Sequence, residues 1–460
     1  MQPECLLTTG CSTNIFSGMV SMSGNPYTNQ GEFMRIFKNI ILILGLAFLS
    51  GCGTETGEQS SNEGQASGKI PAVIKIGLID PMTGAFAQQG SLTKGHIQRA
   101  IDEANEAGII GDAKLEMVVF DNKASPQESL VALKSAISQG IRYVAQGAGS
   151  HVAHSLTDAV RKHNDRNPGD EVMFLNLAAI DPPLTNEKCH FYHFRFDAHV
   201  FMKSDAITTA IAKRDDIKKV YLFNQDYSYG HSVQKSSNEM LAEKRPDIEI
   251  VGDELHPLGK IKDFAPYVAK IKASGADAIY TGNWGSDLGL FAKAVGEAGL
   301  DVSVYTNYAY LIGTPRAIGD KGVNRVKTVL GWHANIEGRP LESYYLDYIE
   351  QYNEDWGFIP QKYAIDIFAA AIRKANSASP KDVAFALEDF RYDGGVGEVW
   401  MRPDDHQLIQ PLYVATLRDI SEGLKYSADS TTYGWSTDVK INADENILPH
   451  SCQMVRPSRS

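Results

Sequence analysis

The stretch GIRYVAQGAGSHVAHSLTDAVRK (residues 140–162) runs through a strand, a turn and a helix in that order. Residues 143–145 form a short apolar run typical of a buried strand, and apolar residues recur at helical spacing across 152–160. The small residues 147–149 between them let the backbone approach a ligand closely, and Ser150 is a favourable N-cap. The stretch therefore predicts either an anion-binding turn at a helix N-terminus or an ordinary strand–helix connection.

The same alternation of strand and helix extends along most of the chain. A first set of strands is predicted at 73–79, 115–121, 143–145 and 172–176, with helices at 90–107 and 126–139. A second set is predicted at 219–223, 248–251, 278–280, 302–305 and 326–332, with helices ending near 244 and at 263–272, 341–354 and 362–376. This alternation predicts parallel sheets covered on both faces, and two sets this complete predict two lobes.

The loops after the predicted strands carry the candidate ligand-binding residues. In parallel sheets a ligand lies beyond the carboxyl ends of the strands, so the loops 80–87, 146–150 and 177–181 are expected at one edge. The corresponding loops of the second set are rich in aromatic residues, namely Tyr227, Tyr229, Trp284 and Tyr308. Such rings are suited to a cleft wall that buries an apolar or aromatic solute, although they could also pack beneath the loops.

Composition excludes several classes of function. The chain has 44 basic and 56 acidic residues and a net charge of −12, which argues against a nucleic-acid partner. No HExxH or CxxC pattern and no phosphate loop or cofactor motif occurs, so neither a metal nor a cofactor is expected. Ser150-His151 and Ser286-Asp287 suggest a hydrolase, but neither lies in a GxSxG motif. We therefore predict a binding protein, with a hydrolase as the alternative.

The N-terminal region has the features of a bacterial export signal. A short basic segment is followed by the ten-residue apolar run 40–49, which is too short for a permanent membrane span. Leu49-Ser50-Gly51-Cys52 then resembles the lipobox of bacterial lipoproteins, in which the cysteine is lipidated. We predict a signal peptide at 34–51, lipidated Cys52 with a flexible tether at 52–71, and a mis-assigned upstream segment at 1–33. The protein is expected on the periplasmic side of a bacterial membrane, held by its lipid.

Two further cysteines lie in the body of the chain. In an oxidising periplasm Cys189 and Cys452 are expected to form a disulfide, and the alternative is two separate buried thiols.

The chain from about residue 74 to 417 resembles periplasmic solute-binding proteins of the branched-chain amino acid type, the receptor subunits of ABC importers. The resemblance is carried by IGLIDPMTG (76–84), DNKASP (121–126), YVAQGAGS (143–150), NLAA (176–179), QDYSYG (225–230) and YTGNW (280–284). It implies an α/β fold of two Rossmann-like lobes joined by a three-crossover hinge, the type I periplasmic binding fold. The implied lobes are 72–198 plus 331–408 and 199–330 plus 409–440, followed by a tail at 441–460.

The resemblance also implies a set of ligand-binding residues. Ser150, after the third strand, matches the family's carboxylate-binding serine. The other implied positions are Gly149, Ala178, Ala179, Tyr229, Trp284, Tyr308 and Gln89. The chain departs from the family at Ile180, where amino-acid binders have a threonine, and at Tyr308, where they have an acidic partner for the ammonium. Asp226 or Asp287 is the candidate replacement for that charge.

These features predict a monomeric receptor that delivers a small solute to ABC permease subunits. The solute is expected to be a carboxylate, with an amino acid of the branched-chain type as the first hypothesis. The alternative within the same fold is an aromatic or other non-amino carboxylic acid, or an amide. A ligand-sensing domain for signalling is the alternative from another class.

Overall fold

A computed structural model describes residues 70–459 of the chain. Its strands are β1 (Val73–Asp80), β2 (Lys114–Asp121), β3 (Tyr143–Gln146), β4 (Met173–Asn176), β5 (His193–Arg195), β6 (Lys219–Gln225), β7 (Glu249–His256), β8 (Ala278–Thr281), β9 (Ser303–Thr306), β10 (Val326–Leu330), β11 (Arg391–Asp393), β12 (Glu398–Met401), β13 (Leu408–Ile409), β14 (Leu412–Asp419) and β15 (Tyr433–Ile441). Its helices are α1 (Ala87–Glu106), α2 (Pro126–Ser138), α3 (Ser150–Arg166), α4 (Val200–Ala212), α5 (Ser228–Lys244), α6 (Ala265–Ser274), α7 (Gly285–Glu297), α8 (Thr314–Ile318), α9 (Glu342–Tyr352), α10 (Ile359–Ala375) and α11 (Pro380–Leu387).

Two sheets organise the described part of the chain. The first has the order β2-β1-β3-β4-β5, and all of its strands are parallel. The second has the order β15-β14-β10-β9-β8-β6-β7, in which β14 and β15 are antiparallel to their neighbours. Strands β3, β4, β8 and β10 are buried along their whole length, as expected where helices cover both faces of a sheet. The α/β fold with two lobes is confirmed.

The chain passes three times between the two sheets. It leaves the first sheet after β5, leaves the second after β10, and enters the second again at β14. Between the last two passages the chain returns to the first lobe, where α10 packs on α1. The antiparallel strands β11–β13 lie beside the first sheet, and Gln407 forms a backbone β-bridge with Arg195 of β5. Three passages are what the hinge of the predicted fold requires.

Most predicted elements occur within a few residues of their expected bounds. The predicted strand 326–332 is too long, because the chain leaves the sheet after Leu330. The pattern also missed β5, the helices α4, α7, α8 and α11, and all of β11–β15. β5 has only three residues, and the antiparallel strands near the C-terminus do not follow the strand–helix alternation on which the prediction rested.

The C-terminal tail returns to the first lobe after β15. Cys452 is joined to Cys189 by a disulfide, with 5.7 Å between the Cα atoms. The Ser451 amide donates to Asn186 Oδ1 at 2.9 Å, and Arg402 Nη1 donates to the Leu448 carbonyl at 2.7 Å. The tail is therefore tied to the first lobe by covalent and hydrogen bonds.

The predictions for the N-terminal region fall on residues that the structure does not describe. These are the upstream segment 1–33, the signal peptide 34–51, the lipidated Cys52 and most of the tether at 52–71. Within residues 70–459, none of the helices is long and apolar enough to cross a membrane.

Candidate functional site

A cleft lies between the carboxyl ends of the parallel strands of the two sheets. It encloses about 680 Å³, including its open mouth. Seven of the residues implied by the sequence line this one space: Gln89, Gly149, Ser150, Ala178, Tyr229, Trp284 and Tyr308. Ile180 lines it as well. The structure thus brings together residues that lie up to 219 positions apart in the sequence, between Gln89 and Tyr308.

The glycine-rich turn forms the floor of the cleft on the first lobe. Gly149 has a φ of +90°, a conformation that residues with a Cβ rarely adopt, and α3 begins at Ser150. The prediction of Ser150 as an N-cap is therefore wrong, because Gly149 holds that position and Ser150 is already helical. The amides of Val152 and Ala153 donate to the Gly149 carbonyl. The backbone amides of Ser150 and His151 come before the first hydrogen bonds of the helix, so they point outward from its N-terminus.

A buried carboxylate lies beneath this turn. The amides of Gly147 and Ala148 each donate to Asp80 Oδ1 at 3.0 Å, so two of the turn's donors already have an acceptor within the protein. Burial raises the pKa of the Asp80 carboxyl to about 7, although the two amide hydrogen bonds oppose that rise. The donors left for a solute carboxylate are thus the Ser150 hydroxyl and the amides at the start of α3.

Asp80 makes the stability of the fold depend on pH. The ordinary pKa of an aspartate, which applies to the unfolded chain, is 3.8, whereas that of Asp80 in the folded protein is about 7, so the folded state binds more protons between these values. The contribution of Asp80 to stability is present below about pH 4 and is lost as the pH rises through 7. An asparagine at this position stays neutral throughout. We therefore expect the free energy of unfolding of Asp80→Asn, relative to the unmodified protein, to rise by on the order of 2 kcal/mol between pH 5 and 8.

Denaturant unfolding at both pH values measures this difference. Asp165→Asn is the control for the change of aspartate to asparagine, because the Asp165 side chain on α3 is 64% exposed. If the free energies of unfolding of Asp80→Asn and the unmodified protein differ by the same amount at both pH values, Asp80 is already ionised at pH 5, and the prediction is wrong.

Aromatic rings form the wall of the cleft on the second lobe. Trp284 stacks on Phe86 of the first lobe with 4.5 Å between ring centroids, and its Nε1 donates to Tyr227 Oη at 2.7 Å. Tyr229 Oη donates to the Gly282 carbonyl at 2.8 Å and accepts from Asn307 Nδ2 at 3.0 Å. The hydroxyls of Tyr227 and Tyr229 therefore form hydrogen bonds within the second lobe, and the rings remain available to contact a solute. Burial raises the pKa of both, so they stay neutral.

Tyr308 is connected to a buried ion pair. Its hydroxyl lies 3.3 Å from Asp197 Oδ2, which Lys203 Nζ approaches at 2.9 Å. Lys203 Nζ also lies 4.4 Å from the centre of the Tyr308 ring. The charge of Asp197 is thus balanced by Lys203, and burial raises the pKa of Tyr308, so its hydroxyl is neutral.

Three predicted residues lie away from the cleft. Ala179 is buried below it, and its amide donates to Asn176 Oδ1 at 2.8 Å. Asp226 is exposed and lies 2.8 Å from His231 Nε2. Asp287 accepts from Gln225 Nε2 and from the Gly259 amide, each at 2.8 Å. Neither of the two aspartates lines the cleft, so neither places a carboxylate in it.

The dipeptides that suggested a hydrolase are engaged elsewhere. Ser150 Oγ accepts from the Asp181 amide at 3.3 Å, whereas His151 Nε2 donates to the Ala124 carbonyl at 3.0 Å. In the second dipeptide, Asp287 Oδ2 is held by Gln225 and Gly259. These contacts do not form the relay of nucleophile, base and orienting acid that a serine hydrolase uses.

A polar group on the first lobe was not identified from the sequence. Gln361 Nε2 donates to Thr93 Oγ1 at 3.1 Å, and His96 Nδ1 lies 2.6 Å from Gln361 Oε1, so that nitrogen carries the proton. Burial lowers the pKa of His96 to about 4, which leaves Nε2 as a neutral acceptor with no partner among residues 70–459. Thr93 and His96 follow the predicted Gln89 at helical spacing in α1, and this signal in the sequence could have revealed them.

The cleft is therefore polar in places but uncharged. None of the described residues that line it is Asp, Glu, Lys or Arg. Six of its residues are aromatic: Tyr227, Tyr229, Trp284, Tyr308, Tyr310 and Phe358. Such a site can hold one small solute through a few directed hydrogen bonds and extensive ring contact.

Comparison with protein families places the chain among known proteins. The family model described as periplasmic binding protein matches residues 73–423. The chain is 32% identical over 406 residues to Leu/Ile/Val-binding protein homolog 4 of Brucella abortus, across 85% of this chain and 95% of that protein.

Solved structures show the same fold. The leucine-, isoleucine-, valine-, threonine- and alanine-binding protein from Brucella ovis, in a closed conformation, has a TM-score of 0.75 and 31% identity, covering 84% of this chain and 99% of that one. An R. palustris solute-binding protein of an ABC transporter, in complex with 4-hydroxybenzoate, has a TM-score of 0.69 and 20% identity, covering 80% and 97%. The second likeness concerns the fold alone.

Proposed function

This chain belongs to the periplasmic binding protein family, and on that premise we propose that its cleft captures a small carboxylate solute for an ABC permease. The observation that carries the proposal is the uncharged cleft with Ser150 and the start of α3 on one side and aromatic rings on the other. We propose that the solute carboxylate accepts from the Ser150 hydroxyl and from the amides at the N-terminus of α3. The helix dipole favours a negative charge there.

A branched-chain amino acid is the first candidate solute. It is supported by the names of the relatives that are 31–32% identical over most of the chain. Its ammonium group would meet tyrosine rings, which attract cations, and neutral acceptors such as His96 Nε2. Its aliphatic side chain would pack against the apolar residues Leu92, Ile180 and Leu311 of the lining.

An aromatic or other non-amino carboxylic acid is the second candidate. It is supported by the absence of any acidic side chain among the described residues of the lining, because burying an ammonium without a counter-ion is costly. The six aromatic side chains would provide ring contact for such a solute. This candidate rests on the residues of this chain rather than on the distant likeness to the 4-hydroxybenzoate complex.

Calorimetry with matched acids separates the two candidates. L-Leucine and 4-methylpentanoate share one carbon skeleton, as do L-phenylalanine and 3-phenylpropanoate, and only the first of each pair carries an ammonium. Tighter binding of L-leucine supports the amino-acid proposal, whereas tighter binding of the deaminated acids supports the second candidate. If no carboxylate of the panel, including benzoate and 4-hydroxybenzoate, binds, the proposed function is wrong.

Ser150→Ala tests whether the Ser150 hydroxyl binds the solute carboxylate, and it is measured with whichever acid of the panel binds. Loss of a hydrogen bond to a charged group should weaken binding about tenfold or more. Ser155→Ala is the matched control, because the Ser155 hydroxyl donates within α3 to the His151 carbonyl.

We propose a location and a division of the chain that follow from the sequence. The family is periplasmic, and Cys52 is proposed to carry the lipid that anchors the receptor to the membrane. The proposed lobes are 72–198 plus 331–408 and 199–330 plus 409–440, acting in one monomer. Cys52→Ser should move the protein from the membrane fraction to the soluble periplasmic fraction, and retention of this variant in the membrane would argue against the lipid anchor.

A further inference from the structure

Asp181 connects the two lobes through its side chain. It follows β4 in the first lobe and is 1% exposed. Ser232 on α5 of the second lobe donates its hydroxyl to Asp181 Oδ1 at 2.5 Å. His154 on α3 approaches the other oxygen, Oδ2, with its Nε2 at 2.6 Å. One carboxylate therefore holds a helix from each side of the cleft.

The backbone of Asp181 is hydrogen-bonded to Ser150, the residue proposed to bind the solute carboxylate and called here the solute seat. Its amide donates to Ser150 Oγ at 3.3 Å, and its carbonyl accepts from Arg195 Nη1 at 2.6 Å. Arg195 is fully buried, and its Nε donates to Gln407 Oε1 at 2.7 Å. Asp181 is thus fixed within the first lobe, and its amide orients the Ser150 hydroxyl at the cleft.

The Ser232 bond to Asp181 is charge-assisted. Burial alone would raise the pKa of the Asp181 carboxyl, but the hydrogen bonds from His154 and Ser232 outweigh it and lower the pKa below its usual value. Hydrogen bonds to an ionised acceptor are about twice as strong as those between neutral groups. When the lobes separate, α5 carries Ser232 away while Asp181 remains with the first lobe, so this bond exists only in the closed receptor.

We propose that Asp181 is a positioning residue that couples the solute seat at Ser150 to closure of the lobes through Ser232. The proposal rests on the proposed function, since it assumes that a solute carboxylate binds at Ser150. A solute that engages the Ser150 hydroxyl stabilises the backbone position of Asp181, and the same residue then fastens α5 of the opposite lobe. This latch, the bond between Ser232 and Asp181, acts beside other contacts across the cleft. Among them, Phe86 stacks on Trp284, His151 lies edge to face with Tyr227, and the Tyr308 hydroxyl lies 3.5 Å from the Ala178 carbonyl oxygen.

Binding kinetics of Ser232→Ala test this latch. With L-leucine as the probe and tryptophan fluorescence in a stopped-flow instrument, the dissociation rate should rise about tenfold, because one charge-assisted bond is lost only in the closed state. The association rate should stay within about twofold, because the open receptor that meets the solute lacks the bond. The other contacts across the cleft remain, so binding is weakened rather than abolished.

Two variants on the same chain are the controls. Ser232→Thr keeps the hydroxyl and should restore slow dissociation. Ser237→Ala removes a hydroxyl from the same helix that donates to the Val233 carbonyl, and it should behave like the unmodified protein. An unchanged dissociation rate in Ser232→Ala, or an equal change in Ser237→Ala, would overturn the proposal.

The latch can be tested separately from the identity of the solute. If neither L-leucine nor 4-hydroxybenzoate binds the unmodified protein, these proposed solutes fail. Single-molecule fluorescence transfer then reports closure of the full-length protein directly, with dyes on unnatural amino acids at the exposed positions Lys162 and Lys235. A smaller closed fraction in Ser232→Ala supports the latch, and identical distributions in the two proteins reject it.

Discussion

Trp284→Ala is expected to weaken solute binding about a hundredfold, the effect typical of removing a large aromatic side chain from the centre of a binding surface. The indole is only 6% exposed and lines the cleft. Its removal takes away a wall for the solute and also the stacking contact with Phe86, which joins the two lobes. Both losses favour the open receptor. Calorimetry with the best-binding acid of the panel measures the change.

Trp284→Phe is the control for this prediction. The smaller ring can still stack on Phe86 but cannot donate to Tyr227 Oη, so its affinity should fall by less than tenfold. Unfolding of both variants should be followed alongside binding, because a general loss of stability would affect every property together. Unchanged affinity in Trp284→Ala would mean that the solute does not contact this wall.

Gly230→Ala is expected to lower the free energy of unfolding by about 2–3 kcal/mol, within the range for overpacking. An added Cβ would lie 1.8 Å from the Gln225 carbonyl oxygen and 2.9 Å from its carbon. This close approach is where β6 turns into α5, and Tyr229 lies on the same turn. The helix must therefore shift, and the ring of Tyr229 with it. We expect solute binding to weaken more than stability alone would explain.

Gly95→Ala is the matched control on α1. Its added Cβ would meet only Tyr348 Oη, at an ordinary 3.4 Å. Because alanine is a better helix former than glycine, this variant should be as stable as the unmodified protein or more so. If Gly230→Ala also unfolds at the same denaturant concentration as the unmodified protein, the approach of helix to strand is looser than the structure shows.

The fold was readily predicted because its information is local. Buried parallel strands such as β3 and β4 are short apolar runs, and the helices between them repeat apolar residues at a fixed spacing. The missed strands β14 and β15 break this rule. They form an antiparallel pair added to the edge of the second sheet, and no α-helix separates them.

The site was predicted only in part, because its chemistry depends on contacts between distant residues. Ser150 and Trp284 stand out in their loops, whereas the role of Asp80 depends on amides 67 and 68 positions away. Asp181 likewise receives its partner from a helix 51 positions further along the chain. No local pattern distinguishes a carboxylate that bonds within the protein from one that is free to bind a solute. Asp226 was predicted at the cleft because it follows a strand, but its side chain is exposed to solvent outside the cleft.

The Cys189–Cys452 disulfide has a mechanical consequence for the receptor. Three passages of the chain form the hinge, and the tail that follows β15 makes a fourth passage whose far end is covalently fastened. Such a strap adds a further covalent connection between the lobes to the three passages of the hinge. In a reducing cytosol the strap would be held by hydrogen bonds alone. The receptor would thus acquire its full constraint on motion only after export, in the compartment where it meets its solute.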